Sequence, residues 1–175
     1  MRVAEENGEQ WCLSYALYML SLTTWRRGDL ETAWSLGLRG VRLRAPFLDS
    51  LGLAMGIDIL GWVAAAGGKY EHAARLLGAT GPIWESVGAL EFGFGDQVAS
   101  YHAALARCRE QLGDARFEAA FNSGAKLDLR EAVALVLSDQ ELPALRDEAA
   151  PAPAGRTSAR AMEWRVNLPK RLLTR

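Results

Sequence analysis

The chain repeats one of its own turns at a spacing of 40 residues. The segment from Gly28 to Ala33 reads Gly-Asp-Leu-Glu-Thr-Ala, and the segment from Gly68 to Ala73 reads Gly-Lys-Tyr-Glu-His-Ala. A unit of this length usually cannot bury its own apolar face, so neighbouring units stack and share a core. The spacing therefore predicts a repeat protein whose units pack side by side.

Each turn is flanked by segments whose apolar residues recur at steps of three and four, which is typical of helices with one buried face. The first unit is expected to form helices over residues 9–27 and 30–43, and the second over 50–66 and 70–86. Pro82 would kink or split the last of these helices. Each unit is therefore predicted to be a helical hairpin.

The two units superpose residue by residue along their first helices. The pairs at the offset of 40 include Leu13 with Leu53, Leu17 with Ile57, and Leu20 with Leu60. In the first unit we expect Leu13, Leu17, Leu20 and Thr24 or Trp25 to form the face that packs into the core. Asp29 is placed to cap the second helix, because its carboxylate can accept the free N–H groups of the first turn.

A third, longer unit follows a glycine-rich loop over residues 88–95. Asp96 is the expected N-cap of its first helix, and the stretch from Phe117 to Ala120 matches Tyr70–Ala73 at an offset of 47. A final helix over residues 127–137, capped by Asp128, would shield the exposed face at the end of the stack. Residues 1–142 are expected to form this repeat domain, and 143–175 a Pro/Ala linker and basic tail.

Charge argues against nucleic-acid binding by the repeats. Residues 1–150 contain 14 basic and 20 acidic side chains, whereas the last 25 residues contain six basic and one acidic. An acidic body is a poor partner for a phosphate backbone. The chain has no secretory signal pattern and no uncharged run long enough to span a bilayer, so we expect a cytoplasmic protein without membrane contact.

No catalytic or metal-binding constellation is visible. Cys12 and Cys108 are far apart in sequence and are expected to be buried, reduced thiols. His102 and Cys108 are six residues apart on one helix and should therefore lie on different faces. The expected protein has no cofactor, no metal and no enzymatic activity.

The turn Gly-x-[Leu/Tyr]-x-x-Ala between two helices, with Gly28/Gly68, Leu30/Tyr70 and Ala33/Ala73 at matching places, resembles the tetratricopeptide repeat, although its period exceeds the usual length of about 34 residues. Residues 68–79 and 127–135 also look like the helical-repeat region of bacterial regulators that combine a P-loop ATPase, such repeats and a LuxR-type helix-turn-helix. The resemblance implies an all-α, right-handed stack of antiparallel helix pairs, a tetratricopeptide-like α-solenoid with about three repeats and a C-terminal capping helix.

The same resemblance implies a role in protein-protein interaction or effector sensing within transcriptional regulation. A second interpretation makes the chain the end segment of an ATP-driven DNA-binding switch, although the sequence contains neither a P-loop nor a full helix-turn-helix. A third interpretation, an enzyme with a pocket between repeats, requires an acid/base pair that the sequence does not show. A homodimer is compatible with each of these interpretations.

In tetratricopeptide proteins the first helix of each pair lines a concave groove, where a protein, peptide or small effector would bind. Carried over to this sequence, the groove residues are Tyr15, Tyr18, Leu22, Arg26, Met55, Asp58 and Trp62, with Met19, Trp25 and Ile59 beside them. Aromatic side chains supply contact area and the charged ones orient a ligand. The alternative for these aromatic residues is packing between helices.

Overall fold

A computed structural model of the chain describes the backbone of residues 2–87 and 95–138 and the side chains within 9–86 and 97–138. Over these residues the chain is all helical, without strands, as the sequence predicts. The predicted linker and tail at 143–175 lie outside the described residues. The helices are α1 Arg2–Arg26, α2 Leu30–Arg44, α3 Ser50–Ala66, α4 Tyr70–Val87, α5 Gly95–Leu112, α6 Asp114–Ala125 and α7 Leu129–Ser138, with a short 3-10 turn at Ala45–Phe47.

The first two turns are the same structure built twice. Gly28 and Gly68 adopt φ values of 84° and 76°, a region that glycine enters without a steric cost. The amide of Asp29 donates to the carbonyl of Thr24, and the equivalent amide of Lys69 donates to the carbonyl of Ala64. The repeat in sequence is therefore a repeat in backbone hydrogen bonding, and each turn leads the second helix back against the first.

Aspartates begin the second and third helices. The carboxylate of Asp29 accepts a hydrogen bond from the amide of Thr32 at 3.1 Å, which confirms the predicted N-cap. Asp49 does the same for α3, accepting from the amide of Gly52 at 3.1 Å. Both caps satisfy amide groups that have no partner inside the helix.

Helix α3 forms the centre of the fold. It packs against α1, α2, α4, α5 and α7, and from Ile57 to Gly67 every residue is buried. A helix that is apolar on all sides is stable only when neighbours surround it, as they do here. Leu53, Ile57 and Leu60 lose all their exposure to solvent.

Only half of the residues predicted to form the core face of α1 are buried. Leu17 and Trp25 are buried, but Leu13 and Leu20 keep 42% and 51% of their exposure. Their equivalents Leu53 and Leu60 are fully buried because α2 packs on that side of α3. No described helix lies on the corresponding side of α1, so equal sequence positions have unequal burial.

The third unit departs from the plan of the first two. Helix α6 packs most extensively against α4 rather than against α5, its partner in sequence. A Cβ at Gly78 of α4 would overlap the carbonyl of Phe121, and a Cβ at Gly124 of α6 would overlap the carbonyl of Arg75. The two glycines thus allow the two helix backbones to touch, a contact for which the first two units have no equivalent.

Two details of the later helices differ from the sequence-based expectations, and a third distinguishes the last turn from the first two. Helix α5 begins at Gly95, so Asp96 lies inside its first turn and is not its N-cap. Pro82 lies inside a single continuous α4, so it does not split the helix. Helix α6 begins directly after Gly113, which has a φ of 74°, so the third turn lacks the linking residue that follows Gly28 and Gly68.

Asp128 caps helix α7 as predicted, but the helix begins at Leu129 rather than at residue 127 and does not pack at the end of the third unit. Asp128 accepts from the amide of Glu131 at 2.8 Å, while the Glu131 carboxylate accepts from the amide of Asp128 at 2.9 Å, a reciprocal capping box. The helix contacts α2, α3 and α4 instead of closing the end of the third unit. Its apolar side, Ala132, Val133 and Val136, is buried in the main core, which explains this position.

Candidate functional site

A pocket of about 170 Å³ opens between the first helices of the three units. Its wall comes from α1, α3 and α5, which the resemblance to tetratricopeptide repeats identifies as the groove-lining helices. Four alanines contribute to the lining, and their small side chains leave space that larger residues would fill. We call this the indole pocket, and it is lined by Trp25, Trp62, Ala65, Ala66, Ser100, Ala103, Ala104 and Arg107.

Two tryptophans form the apolar wall of the indole pocket. The rings of Trp25 and Trp62 lie 5.4 Å apart between centroids at an interplanar angle of 42°. Both side chains are buried, and neither Nε1 atom has a hydrogen-bond partner in the described part of the chain. A buried N–H without a partner is costly, so these two groups reduce the stability of the fold.

Arg107 supplies a positive charge to the same pocket. Its side chain is half-buried, and its guanidinium carbon lies 6.0 Å from the centre of the Tyr70 ring. A guanidinium presents planar, forked N–H donors that match a carboxylate. The pocket therefore combines an apolar aromatic wall with one cationic group.

A second polar feature lies deeper in the fold, around Asp58 of α3. One carboxylate oxygen accepts a hydrogen bond from Nε1 of Trp84 at 2.8 Å, and the other, Oδ1, has no partner in the described part of the chain. Burial raises the pKa of Asp58 to about 7, while the nearby polar side chains of Thr80 and Trp84 act in the opposite direction. A carboxyl with this pKa changes its charge near neutral pH.

Two buried tyrosines flank Asp58. Burial, with the charge of Asp58 as a smaller cause, raises the pKa of Tyr18 to about 12 and also raises the pKa of Tyr101. The hydroxyl of Tyr101 donates to the carbonyl of Leu77 at 3.1 Å. Both phenols therefore stay neutral over the range in which Asp58 titrates.

The structure separates the seven predicted site residues into several environments. Trp62 lines the indole pocket. Asp58 and the neighbouring Tyr18 are buried away from this pocket, and Leu22 is part of the core. Met55 is half-buried against the core, and Arg26 is exposed. Tyr15 is half-buried with the guanidinium of Arg44 4.2 Å above its ring. Most of the aromatic residues pack between helices, and a binding role for the seven stays a prediction.

Sequence reasoning missed Ser100, Ala103, Ala104 and Arg107, the contribution of α5 to the pocket. It drew the groove from the first two units only, whereas the same rule applied to the first helix of the third unit would have included them. Arg44, a buried cation that links the first three helices, was also missed. Nothing in its local sequence distinguishes it from the exposed Arg42 two residues earlier.

Other chemistry finds little support in the described part of the chain. There, no group of three or more His, Cys, Asp or Glu side chains is arranged to hold a metal ion. Cys108 is buried and His102 exposed, which confirms that they lie on different faces. Cys12 is exposed, so the prediction that both thiols are buried is wrong for this one. No helix among the described residues is long and apolar enough to cross a membrane.

Comparison with known proteins gives one consistent result. The chain is 27% identical, over 124 residues, to proteins provisionally named as HTH-type transcriptional regulators in Mycobacterium bovis and in two strains of Mycobacterium tuberculosis. The match covers 71% of this chain but 14% of each relative, so the chain spans about a seventh of their length. No family model and no solved structure matches the chain. The chain is thus distantly related to proteins that are provisionally named as transcriptional regulators.

Proposed function

We propose that this chain is a non-catalytic recognition module related to bacterial transcriptional regulators, built as a tetratricopeptide-like solenoid, in which the indole pocket holds an apolar side chain of a partner protein. The observation that carries the proposal is the pocket between Trp25, Trp62 and Arg107. The distant relationship to transcriptional regulators supports the regulatory context. The recurring turn hydrogen bonds at Asp29 and Lys69 support a stack of equivalent units.

The size of the pocket favours a protein side chain over a whole effector molecule. A cavity of about 150 Å³ can hold one benzene molecule, whereas pockets for drug-sized ligands span about 300–1,000 Å³. At about 170 Å³, the indole pocket accommodates one aromatic or large aliphatic side chain. Buried anchors of this kind supply much of the energy of protein-protein recognition.

The charge of the pocket indicates which group should lie next to the apolar anchor in the partner. Among the described residues, Arg107 is the one ionisable side chain in the lining of the pocket. A partner with a carboxylate next to its apolar anchor would place the charge against the guanidinium and the ring against the tryptophans. The preferred partner is therefore a protein segment with an aromatic residue beside an acidic group.

Phenylacetate is a minimal probe of this combination, since it joins one aromatic ring to one carboxylate. We expect its addition at millimolar concentration to shift the indole N–H resonances of Trp25 and Trp62 in nitrogen-15 NMR spectra and to leave that of Trp34, which lies outside the pocket lining, in place. Benzyl alcohol, which lacks the charge, should bind more weakly.

Two variants make this experiment specific. Ala104→Phe fills the pocket and should abolish both titrations, while Arg107→Gln should weaken binding of phenylacetate and leave that of benzyl alcohol unchanged. A circular dichroism melt of each variant shows that the fold is retained. Unchanged tryptophan resonances with both probes, or the same shifts in Ala104→Phe, would refute the assignment of the pocket.

A second candidate function is favoured by the length of the relatives. Since the match covers 14% of proteins whose names include a helix-turn-helix, the chain would be the end segment of a longer DNA-binding switch. In this case the indole pocket would receive a side chain from another domain of the same regulator. Joining the chain to its flanking domains would then shift the Trp25 and Trp62 resonances without any added probe.

A further inference from the structure

Helix α1 carries an apolar surface on the side that faces away from the rest of the fold. Leu13, Met19 and Leu20 keep 42%, 52% and 51% of their exposure, and Cys12 and Ala16 are also exposed. From residue 10 to residue 25 the helix contains no charged side chain. A solvent-facing helix normally alternates charged and apolar faces, so this surface has the composition of a covered one.

Five exposed residues of α1, together with Arg27 directly after it, form a regular seam. The seam, which we define by its six residues, consists of Glu9, Leu13, Ala16, Leu20, Thr23 and Arg27, all of which are exposed. Their spacings are four, three, four, three and four, which is the heptad spacing that keeps side chains on one line facing a partner helix. The central four positions are uncharged, and the two ends carry opposite charges.

The second repeat shows what happens to such a seam when a helix is available. Leu53, Gly56, Leu60 and Val63 are the equivalents of Leu13, Ala16, Leu20 and Thr23, and all four are buried. A Cβ at Gly56 would lie 2.8 Å from a methyl group of Val41, and one at Gly37 would lie 2.9 Å from Leu60, so α2 packs closely on this line. The seam of α1 is therefore of a type that this fold covers with another helix.

We propose that the seam is the interface with a second copy of this chain, with the two α1 helices antiparallel about a two-fold axis near residue 18. In this arrangement Glu9 of each copy faces Arg27 of the other, Leu13 faces Thr23, and Ala16 faces Leu20. The spacing reads the same in both directions, so every seam residue meets another seam residue. A two-fold contact requires this self-complementarity.

The chemistry of the seam suits close approach. Ala16 and Leu20 place a small side chain opposite a large one at the centre, which lets the helices interdigitate. The Thr23 hydroxyl donates to the carbonyls of Met19 and Leu20 at 3.0 and 2.9 Å, so its burial leaves no donor without a partner. One helix pair is at the small end of specific interfaces, and we expect micromolar rather than nanomolar affinity.

Sedimentation equilibrium of the purified chain between about 1 and 200 µM tests this proposal directly, over the range in which micromolar dimers dissociate. We expect the mass to rise from that of one chain to that of two. Leu20→Glu places two like charges in the seam and should weaken the dimer about tenfold or more. The matched control is Leu51→Glu, which alters a similarly exposed leucine on α3, outside the seam, and should leave the dimer unchanged.

Charge reversal identifies the partner as a second copy. Glu9→Arg and Arg27→Glu should each weaken the dimer by about two- to tenfold, since each places like charges together at both ends of the interface. The double variant restores opposite charges and should recover the affinity. The proposal would be overturned if the chain stayed monomeric at 200 µM or if the substitutions at positions 20 and 51 had equal effects. It would also be overturned if the double variant dimerised more weakly than both single variants.

Discussion

Nε1 of Trp84 donates a hydrogen bond of 2.8 Å to the carboxylate of Asp58, joining α4 to α3 inside the core. The contact fixes the orientation of both side chains, but it satisfies one of the two carboxylate oxygens. Because Asp58 retains 5% of its exposure, its charge is poorly solvated, and its pKa rises to about 7. The fold thus contains an acid whose protonation is coupled to stability near neutral pH.

The first prediction concerns the pH dependence of unfolding. A carboxyl with a raised pKa stabilises the folded state most fully below its unfolded pKa, and this contribution is lost as the pH rises through the folded value. For Asp58 the loss spans the range from about 4 to about 7. Asp58→Asn keeps an acceptor for Trp84 without the charge, so it should unfold at higher urea concentration than wild type at pH 8, by a few kcal/mol at most.

The difference between the two proteins should shrink toward pH 5, where wild-type Asp58 is protonated. Asp114→Asn is the control, because Asp114 is 81% exposed and, within the described part of the chain, is paired only with Arg109 at the surface. Its unfolding curve should follow that of wild type at both pH values. Parallel pH profiles for wild type and Asp58→Asn would contradict the assignment.

A second prediction concerns the buried cation Arg44. Its Nε donates to the Ser14 hydroxyl at 2.8 Å, and Nη1 lies 4.0 Å from a carboxylate oxygen of Asp49. Both Nη atoms lack a hydrogen-bond partner in the described part of the chain. Asp49→Ala removes a helix cap, worth about 1 kcal/mol, and also leaves the buried guanidinium without its counter-charge, which costs roughly 3–5 kcal/mol.

Asp29→Ala is the matched control, since Asp29 caps α2 with the same hydrogen-bond length but is exposed and is not paired with a buried cation. It should cost only the cap, about 1 kcal/mol. Urea unfolding measures both changes. Equal losses in the two variants would mean that Asp49 contributes nothing to Arg44.

The third prediction tests the contact between α4 and α6. Gly124→Ala introduces a Cβ that overlaps the carbonyl of Arg75, so the helices must separate and the variant should lose about 2–3 kcal/mol. The control Gly81→Ala likewise adds one methyl group, in this case to α4. Nothing lies within 4 Å of this methyl group, so the loss of stability should stay below about 1 kcal/mol. Thermal melts followed by circular dichroism compare the two, and similar melting temperatures would disprove the close contact.

A fourth prediction separates the two thiols. Burial raises the pKa of Cys108 to about 12, whereas Cys12 is exposed on α1. Only the thiolate reacts with iodoacetamide, so the folded protein at neutral pH should take one adduct, located by peptide mass at Cys12. In urea it should take two. Modification of Cys108 in the folded protein at a rate like that of Cys12 would show that its surroundings open.

Much of the local structure could be predicted because it depends on neighbours in the chain. The bounds of α3 and the caps at Asp29 and Asp128 follow from residues within a few positions, as periodicity and capping require. The indole pocket could be predicted only in part. Trp25 and Trp62 follow from the repeat, and the same rule extended to α5 would have included Arg107, but only the tertiary structure shows that the three side chains line one pocket.

The sequence by itself determined a chain of helices joined by left-handed glycine turns, because helix periodicity and the conformational freedom of Gly28 and Gly68 are properties of short segments. Tertiary structure alone decided which of two equivalent leucines is buried. Leu60 lies beneath α2 while Leu20 faces outward, since burial depends on which helix lies alongside. It also decided that α6 packs on α4 and that Asp58 is enclosed, since both follow from contacts between residues far apart in the chain.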